Sequence, residues 1–287
     1  MLSQLKMVFR AIVADRLALF GSIVILVFIT MAVFAPVIAP YDPNEIIVDP
    51  ETGLTLKFEP PSTKFLFGTN NLARDIFSQV VYGSRVALLV GFLSALSVTI
   101  VGANVGLLSG YYGGRVDNLL MRIVDITYSI PFEPFAILLV GLMGPSILNL
   151  VLAMTLIMWR GPARVIRSQV LSLSQRPFVK AARVAGATNR RIIYAHIAPN
   201  ILPVVLLYVP ITVGWAIIAE ASISFLGFGP PQITSWGGIL QTAFTSGAMR
   251  QAWWWMMAPG TAIVLVVVSI FFINRALEPI ANPNLWD

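Results

Sequence analysis

The sequence predicts an all-α, polytopic membrane protein with about six transmembrane helices. Composition, hydropathy and the spacing of the apolar residues predict it. Of the 287 residues, 57% are hydrophobic and 11% are charged. A soluble domain carries roughly a quarter charged residues, so too few are present to cover a soluble surface. The mean hydropathy is +0.82. The apolar residues also gather into stretches close to the roughly 20 residues that a helix needs to cross a bilayer. Cysteine is absent and His196 is the single histidine. That excludes disulfide frameworks, Cys-zinc sites, thiol nucleophiles and multi-His metal clusters.

The first stretch runs from Leu17 to Ile38. Its apolar part exceeds the ~7–15 residues of a signal peptide, so it reads as an uncleaved anchor. The second runs from Val86 to Leu108 and the third from Leu119 to Met143. The fourth runs from Ile147 to Ala163 and is purely apolar only to Trp159. Gly144, Pro145 and Ser146 alone separate the third from the fourth, which predicts a tight helical hairpin. The fifth runs from Ile201 to Phe228 and the sixth from Met256 to Ile273.

Lysine and arginine placement sets the orientation. With the N-terminus inside, the inner segments hold Lys6, Arg10, Arg16, Arg115, Arg122, Arg160, Arg164, Arg167, Arg176, Lys180, Arg183, Arg190, Arg191 and Arg275. The outer segments hold only Lys57, Lys64, Arg74, Arg85 and Arg250. Both termini are therefore expected in the cytoplasm of a multi-pass protein of the cell membrane. The chain divides into a cytoplasmic segment 1–16, a first transmembrane helix 17–38, an extracytoplasmic segment 39–83 and a core 84–287. The core carries an inner loop 164–200 and an outer loop 229–255. The net charge of +6 sits mostly in the inner loop and the N-terminal segment.

The inner loop is the most informative. Pro177 to Ala185 reads as a short helix with proline at its start. Phe178, Ala181, Ala182 and Ala185 share one face, and Arg176, Lys180 and Arg183 the other. Gly186 breaks that helix and Thr188 can cap a second one, which carries Ile192, Ile193 and Ile197 and is expected to stop at Pro199. Two short helices with a small-residue face and a glycine hinge suit a docking knob. An amphipathic helix lying on the anionic inner leaflet is the alternative.

The stretch KAARVAGATNRRIIYAHIAPN, Lys180 to Asn200, resembles the EAA loop of ABC importer permeases. Ala181, Ala182, Gly186 and Pro199 match it; Lys180 stands where the family usually has glutamate. FGTNNLARDIFSQVVYGSR, Phe67 to Arg85, is similar to the GTDxxGRD segment of dipeptide and oligopeptide permeases, with Asn70 and Ala73 replacing its Asp and Gly. GYYGGRVDNLLMRIVDITYSIP, AEASISFLGFG, SWGGIL and AWWW fit the same branch. The resemblance covers nearly the whole chain after Lys64 and points to the C-type subunit of a peptide/nickel-class importer.

The resemblance implies a second homologous permease, two ATPase subunits inside and an extracytoplasmic substrate-binding protein. It also implies that Phe178, Lys180, Ala181, Ala182, Arg183 and Gly186 couple to an ATPase subunit. ATP and Mg belong to those partners. No lysine follows a glycine, so the chain has no GxxxxGK[ST] phosphate loop. It is expected to be a transport subunit rather than an enzyme, with no cofactor or metal of its own and no nucleic-acid partner.

Ionisable residues inside spans are functional candidates. Glu133, between Pro131 and Pro134, is a candidate to line the translocation path; pairing with a neighbouring span is the alternative. Glu220 is a weaker pathway candidate, with a structural hydrogen bond the favoured role. Asp125 is expected to pair with Arg122 or an inner-loop base, and Arg160 to snorkel to the inner interface. His196 is expected to brace the coupling loop. Trp236 and Trp253 read either as an aromatic belt or as part of a re-entrant outer loop that meets the binding protein or gates the exit. Gly102, Gly106 and Gly110 form a close-packing row, either within the subunit or against the second permease.

These features make the chain half of a translocation path for di- or oligopeptides. Nickel or oligosaccharide import remains within the same branch. An ion-driven secondary transporter, relaying protons through Asp125, Glu133 and Glu220, is the rival from another class. It leaves the Ala181–Gly186 knob without a purpose. An intramembrane enzyme is the weakest reading.

Overall fold

The computed structural model describes residues 11–281; the expectations for Lys6 and Arg10 fall outside them. Among the described residues the regular structure is helical, apart from two isolated bridging pairs, Val48 with Thr55 and Thr69 with Asp75. Four helices are long and apolar enough to cross a membrane, five if one sharply bent pair counts as a crossing. The six expected stretches therefore all appear, but two of them are not straight, full-length spans.

Helix α1 is Arg16–Val33. Asp15 caps it, accepting from Leu17 N at 2.8 Å, and Arg275 donates to the same carboxylate at 2.7 Å. That ion pair joins the start of α1 to the last helix. Gly21 packs on the same helix, where a Cβ would lie 2.6 Å from Ser269 O. At the other end, Arg85 donates to Ala32 O at 2.6 Å and Val33 O at 3.2 Å, so it satisfies carbonyls that the helix end leaves open.

The excursion from Ala39 to Asp75 is ordered by its own polar groups. Thr69 Oγ1 donates to Leu56 O at 2.6 Å and accepts from Glu59 N at 2.9 Å. Asn70 Oδ1 accepts from Leu72 N and Arg74 N, both at 2.9 Å. Ala73 sits at φ +58°, a left-handed conformation that suits the glycine expected there by resemblance.

Helix α2 is Ile76–Tyr112, 37 residues, or about 55 Å at 1.5 Å per residue. It begins ahead of the expected boundary at 84 because Asp75 caps it, accepting from Ser78 N at 2.7 Å. Its length exceeds the ~30 Å hydrocarbon core, so it links the excursion to the opposite end of the bundle.

Helix α3, Gly114–Ser129, and helix α4, Phe132–Met143, share the third apolar stretch. They meet at 88°. Pro131 offers no N–H and biases Ile130 away from helical geometry, which takes φ −88° and ψ 117°. The expected hairpin follows: Gly144 turns at φ +88° and Ser146 caps helix α5, Ile147–Met158. At 12 residues α5 is too short to cross alone. Past Trp159 it gives way to α6, Arg160–Ser174, which is amphipathic and basic.

The glycine row of α2 packs inside the subunit, not toward a partner. Cβ atoms at Gly102, Gly106 and Gly110 would each lie 2.7 Å from an atom of the Trp159–Val170 segment. Backbone contact of this kind requires residues without side chains.

Helix α7 is Pro177–Val184. Helix α8 is Asn189–Phe228 and contains π-helical turns at Ile192–Ile197 and Ser224–Phe228. The expected stop at Pro199 does not occur. The first π turn resets the hydrogen-bond register, so Pro199 falls within the first two positions of the next α-helical segment, where its missing N–H costs nothing. Helix α9 is Trp236–Thr245 and helix α10 is Trp253–Ala281.

Candidate functional site

Three places bring the candidate residues together. The first is α7, at the end of the bundle away from the excursion. Arg176 precedes it and Pro177 opens it. Its end is a Schellman motif: Gly186 N donates to Arg183 O at 3.1 Å and Ala187 N to Ala182 O at 3.0 Å, with Gly186 at φ +80°. Thr188 then caps α8, accepting from Arg191 N.

One side of α7 is anchored. Val179 is fully buried against Ile166, Val170, Ile192, Ile193 and Ile197, and Ala182 packs on the same cluster. The Arg183 guanidinium lies over the Tyr111 ring at 5.7 Å, and Tyr111 donates to Asn189 Oδ1 at 2.8 Å. The other side is open. Phe178 is 39% and Val184 90% exposed, and Lys180, Ala181, Ala185 and Gly186 are exposed beside them. The face expected from spacing thus divides. Phe178, Ala181 and Ala185 look outward, while Ala182 turns in because Val179 sets the helix rotation. Arg176, Lys180, Arg183, Arg190 and Arg191 join no ion pair among the described residues. His196 lies in the adjoining π turn, half-buried.

The second place is the α3–α4 bend. Arg160 folds back onto the protein. It donates to the carbonyls of Thr127 and Ile130 and stacks 4.6 Å from the Tyr128 ring centre. A cation is favoured at the carbonyl end of a helix, and the missing N–H groups of Pro131 and Pro134 leave Thr127 O and Ile130 O, respectively, without helical donors. Asp125 pairs with Arg164 of the inner loop. Glu133 lies in the first turn of α4, exposed on the surface of this chain, where the helix dipole favours its negative charge. Arg160→Ala should lower the melting temperature of the purified protein, since charged hydrogen bonds contribute ~1.5–3 kcal/mol. An unchanged melting curve would remove Arg160 as the clasp of the bend.

The third place is the excursion end. Glu220 is buried. It accepts from Ser224 Oγ at 2.6 Å, and Ser235 also acts on the carboxylate. Ser235 caps α9, accepting from Gly238 N at 3.2 Å. Glu220 thus makes a structural hydrogen bond into the π turn of its own helix, and its Oε2 is buried without a hydrogen-bond partner. Trp236 is not a belt residue. It is fully buried, donates to Val80 O at 2.9 Å and meets Phe28 edge-on at 5.5 Å. Once its N–H is satisfied, the large ring gains most from burial. Trp253 is 61% exposed and borders an apolar groove with Ile23 and Phe67 between α1 and α10.

One buried cluster has no local signal in the sequence. Arg167 of α6 pairs with Asp117 of α3, and Ser109 of α2 donates to the same carboxylate. Ser109 and Asp117 lie eight residues apart, but Arg167 is 50 residues from Asp117, and the glycine-mediated approach of α2 to α6 brings it to them.

The comparisons with known proteins agree along the length of the chain. The family model described as binding-protein-dependent transport system inner membrane component matches residues 102–281. A second, the N-terminal TM domain of oligopeptide transport permease C, matches residues 3–61. The dipeptide transport system permease protein DppC of Bacillus subtilis (strain 168) is 33% identical over 285 residues, 99% of this chain and 87% of that one. The protein of the same name in Alkalihalophilus pseudofirmus is 34% identical over 278 residues, 96% of this chain and 89% of its own. The di/tripeptide transport system permease protein DppC of Pseudomonas aeruginosa (strain UCBPP-PA14) is 32% identical over 290 residues, 99% and 93% of the two chains. Among solved structures, the inward-facing MetNI methionine ABC transporter superposes with a TM-score of 0.56 at 20% identity, covering 71% of this chain and 95% of that one. That likeness concerns the fold.

Proposed function

The chain belongs to the family of binding-protein-dependent transport system inner membrane components and is a permease subunit of an ABC importer, and from that premise we propose that its cargo is a di- or oligopeptide. The observation that carries the cargo is that relatives alike over nearly the full length are peptide permeases. The chain forms half of the path, a second homologous permease the other half. Two ATPase subunits, which hold ATP and Mg, drive it, and a substrate-binding protein delivers the peptide.

The termini and α7 lie in the cytoplasm and the excursion outside, in keeping with the basic inner segments. Phe178, Ala181 and Val184 form the apolar centre of the ATPase contact, and Lys180 and the neighbouring arginines its rim. The immobile Val179 anchor lets a push on this face reach α6 and α8 as a rigid-body movement. Lys180 in place of glutamate changes the charge offered to the ATPase, not the helix. Glu133, exposed at the bend, faces the path. The α8–α9 corner beside Glu220, with the outward Trp253, frames the outer face.

The test is reconstitution. Co-expressed with its partners, the chain should co-purify with the ATPase subunits, and proteoliposomes should take up a labelled dipeptide only with ATP and binding protein present. Uptake by the purified chain alone under an ion gradient would overturn the importer reading.

A further inference from the structure

At the excursion end, a cavity of about 340 Å³ opens between residues 44–79 and 224–242. Its wall mixes polar and apolar residues, and Arg74 is its single charged residue. Arg74 Nε is buried without a hydrogen-bond partner, and Arg74 joins none of the ion pairs among the described residues. With Nε shut from solvent and unmatched, the side of the guanidinium that lines the cavity is what an entering acceptor would meet, and a charged hydrogen bond there would be favourable.

The rest of the wall supplies donors and no competing anion. Asn71, Gln232 and Gln241 line it. Glu220 is held behind the wall by Ser224 and does not line the cavity. Asn70 and Gln79 are already spent on structure: Asn70 Oδ1 holds backbone N–H groups, and Gln79 Nε2 donates to Pro43 O at 3.0 Å. Those bonds fix the backbone that carries Arg74. A positioned, one-signed pocket of this kind recognises a carboxylate, which pairs with the guanidinium fork. The volume falls at the small end of ligand pockets, ~300–1,000 Å³, which suits a chain end rather than a protein surface.

We propose that this cavity receives the free C-terminal carboxylate of a peptide as it enters from the binding protein, with Arg74 as the residue that reads it. The proposal rests on the peptide reading and on the excursion lying outside. It makes Arg74 a specificity residue for the end of the cargo.

The test compares one tripeptide as the free acid and as the C-terminal amide. Uptake is measured with the complete reconstituted complex and the same binding protein throughout, so that any preference of the binding protein cancels. Arg74→Gln should lower the acid-to-amide uptake ratio about tenfold, the size of one charged hydrogen bond. Gln241→Glu, on the partly exposed rim, should shift the ratio in the same direction by repulsion, without removing a buried group. A ratio unchanged in both variants, or acid and amide uptake falling equally, would overturn the proposal. Equal falls would assign the cavity to docking of the binding protein. Failure of the unmodified complex to carry either peptide would instead sink the peptide reading, and it would show without any change at Arg74.

Discussion

Gly106→Leu should abolish the folded chain. A Cβ at Gly106 would lie 2.7 Å from Ala163 O, 2.9 Å from Arg167 N and 2.9 Å from Ile166 Cβ. Two of these atoms are backbone of α6 and have no rotamer into which to retreat. Overpacking a core costs ~1–3 kcal/mol where side chains can shift, and here the helices themselves must separate. Separation would also expose the Asp117–Arg167–Ser109 cluster that the same approach brings together. That cluster is partly buried, so its loss adds to the overpacking cost, against a total stability of only ~5–15 kcal/mol. The variant should insert but lose its cooperative melting transition and elute as aggregate in gel filtration. Gly260→Ala, where a Cβ meets nothing within 4 Å, should melt like the parent. Parental melting of Gly106→Leu would refute the account of the α2–α6 contact.

Much of this was legible in the sequence because membranes impose one simple constraint. A helix crossing lipid must satisfy its backbone internally, so apolar length marks α1, α2, α8 and α10 directly. The α7 knob was legible for a different reason, since Pro177, Gly186 and Thr188 punctuate the backbone locally. What escaped was non-local. Apolar length is blind to the break at Pro131, because the stretch stays hydrophobic through it, and only Arg160, from another helix, accounts for the fate of the freed carbonyls. Pro199 read as a stop because local rules do not anticipate a π turn. For Trp236 the sequence left belt and re-entrant loop open, because a tryptophan near a boundary looks alike whether its N–H meets lipid headgroups or the Val80 carbonyl. Arg74 stood inside a matched segment but without a role, because its surroundings come from two segments far apart in the chain.

Gly186→Val should uncouple the assembled importer while Gly186→Asn should not, and the contrast follows from backbone geometry alone. A Cβ at Gly186 meets nothing within 4 Å, yet φ is +80°. Space is therefore free and conformation is not. A left-handed residue costs an L-amino acid about 1–2 kcal/mol, more for a β-branched one, while asparagine tolerates it. Valine would open the Schellman bonds from Gly186 and Ala187 and swing the chain between α7 and the Thr188 cap. The outward face of Phe178, Ala181 and Val184 would then lose its angle to Val179. A docking helix at the wrong angle still binds but transmits its push poorly. ATP hydrolysis by the reconstituted complex should persist while peptide uptake per ATP falls about tenfold, the effect of a misdirection worth about 1.4 kcal/mol. The asparagine variant should keep most of its coupling. Full coupling in the valine variant would detach α7 from the motor. Equal losses in both variants would mean that side-chain bulk at the docking face matters, and not the left-handed turn.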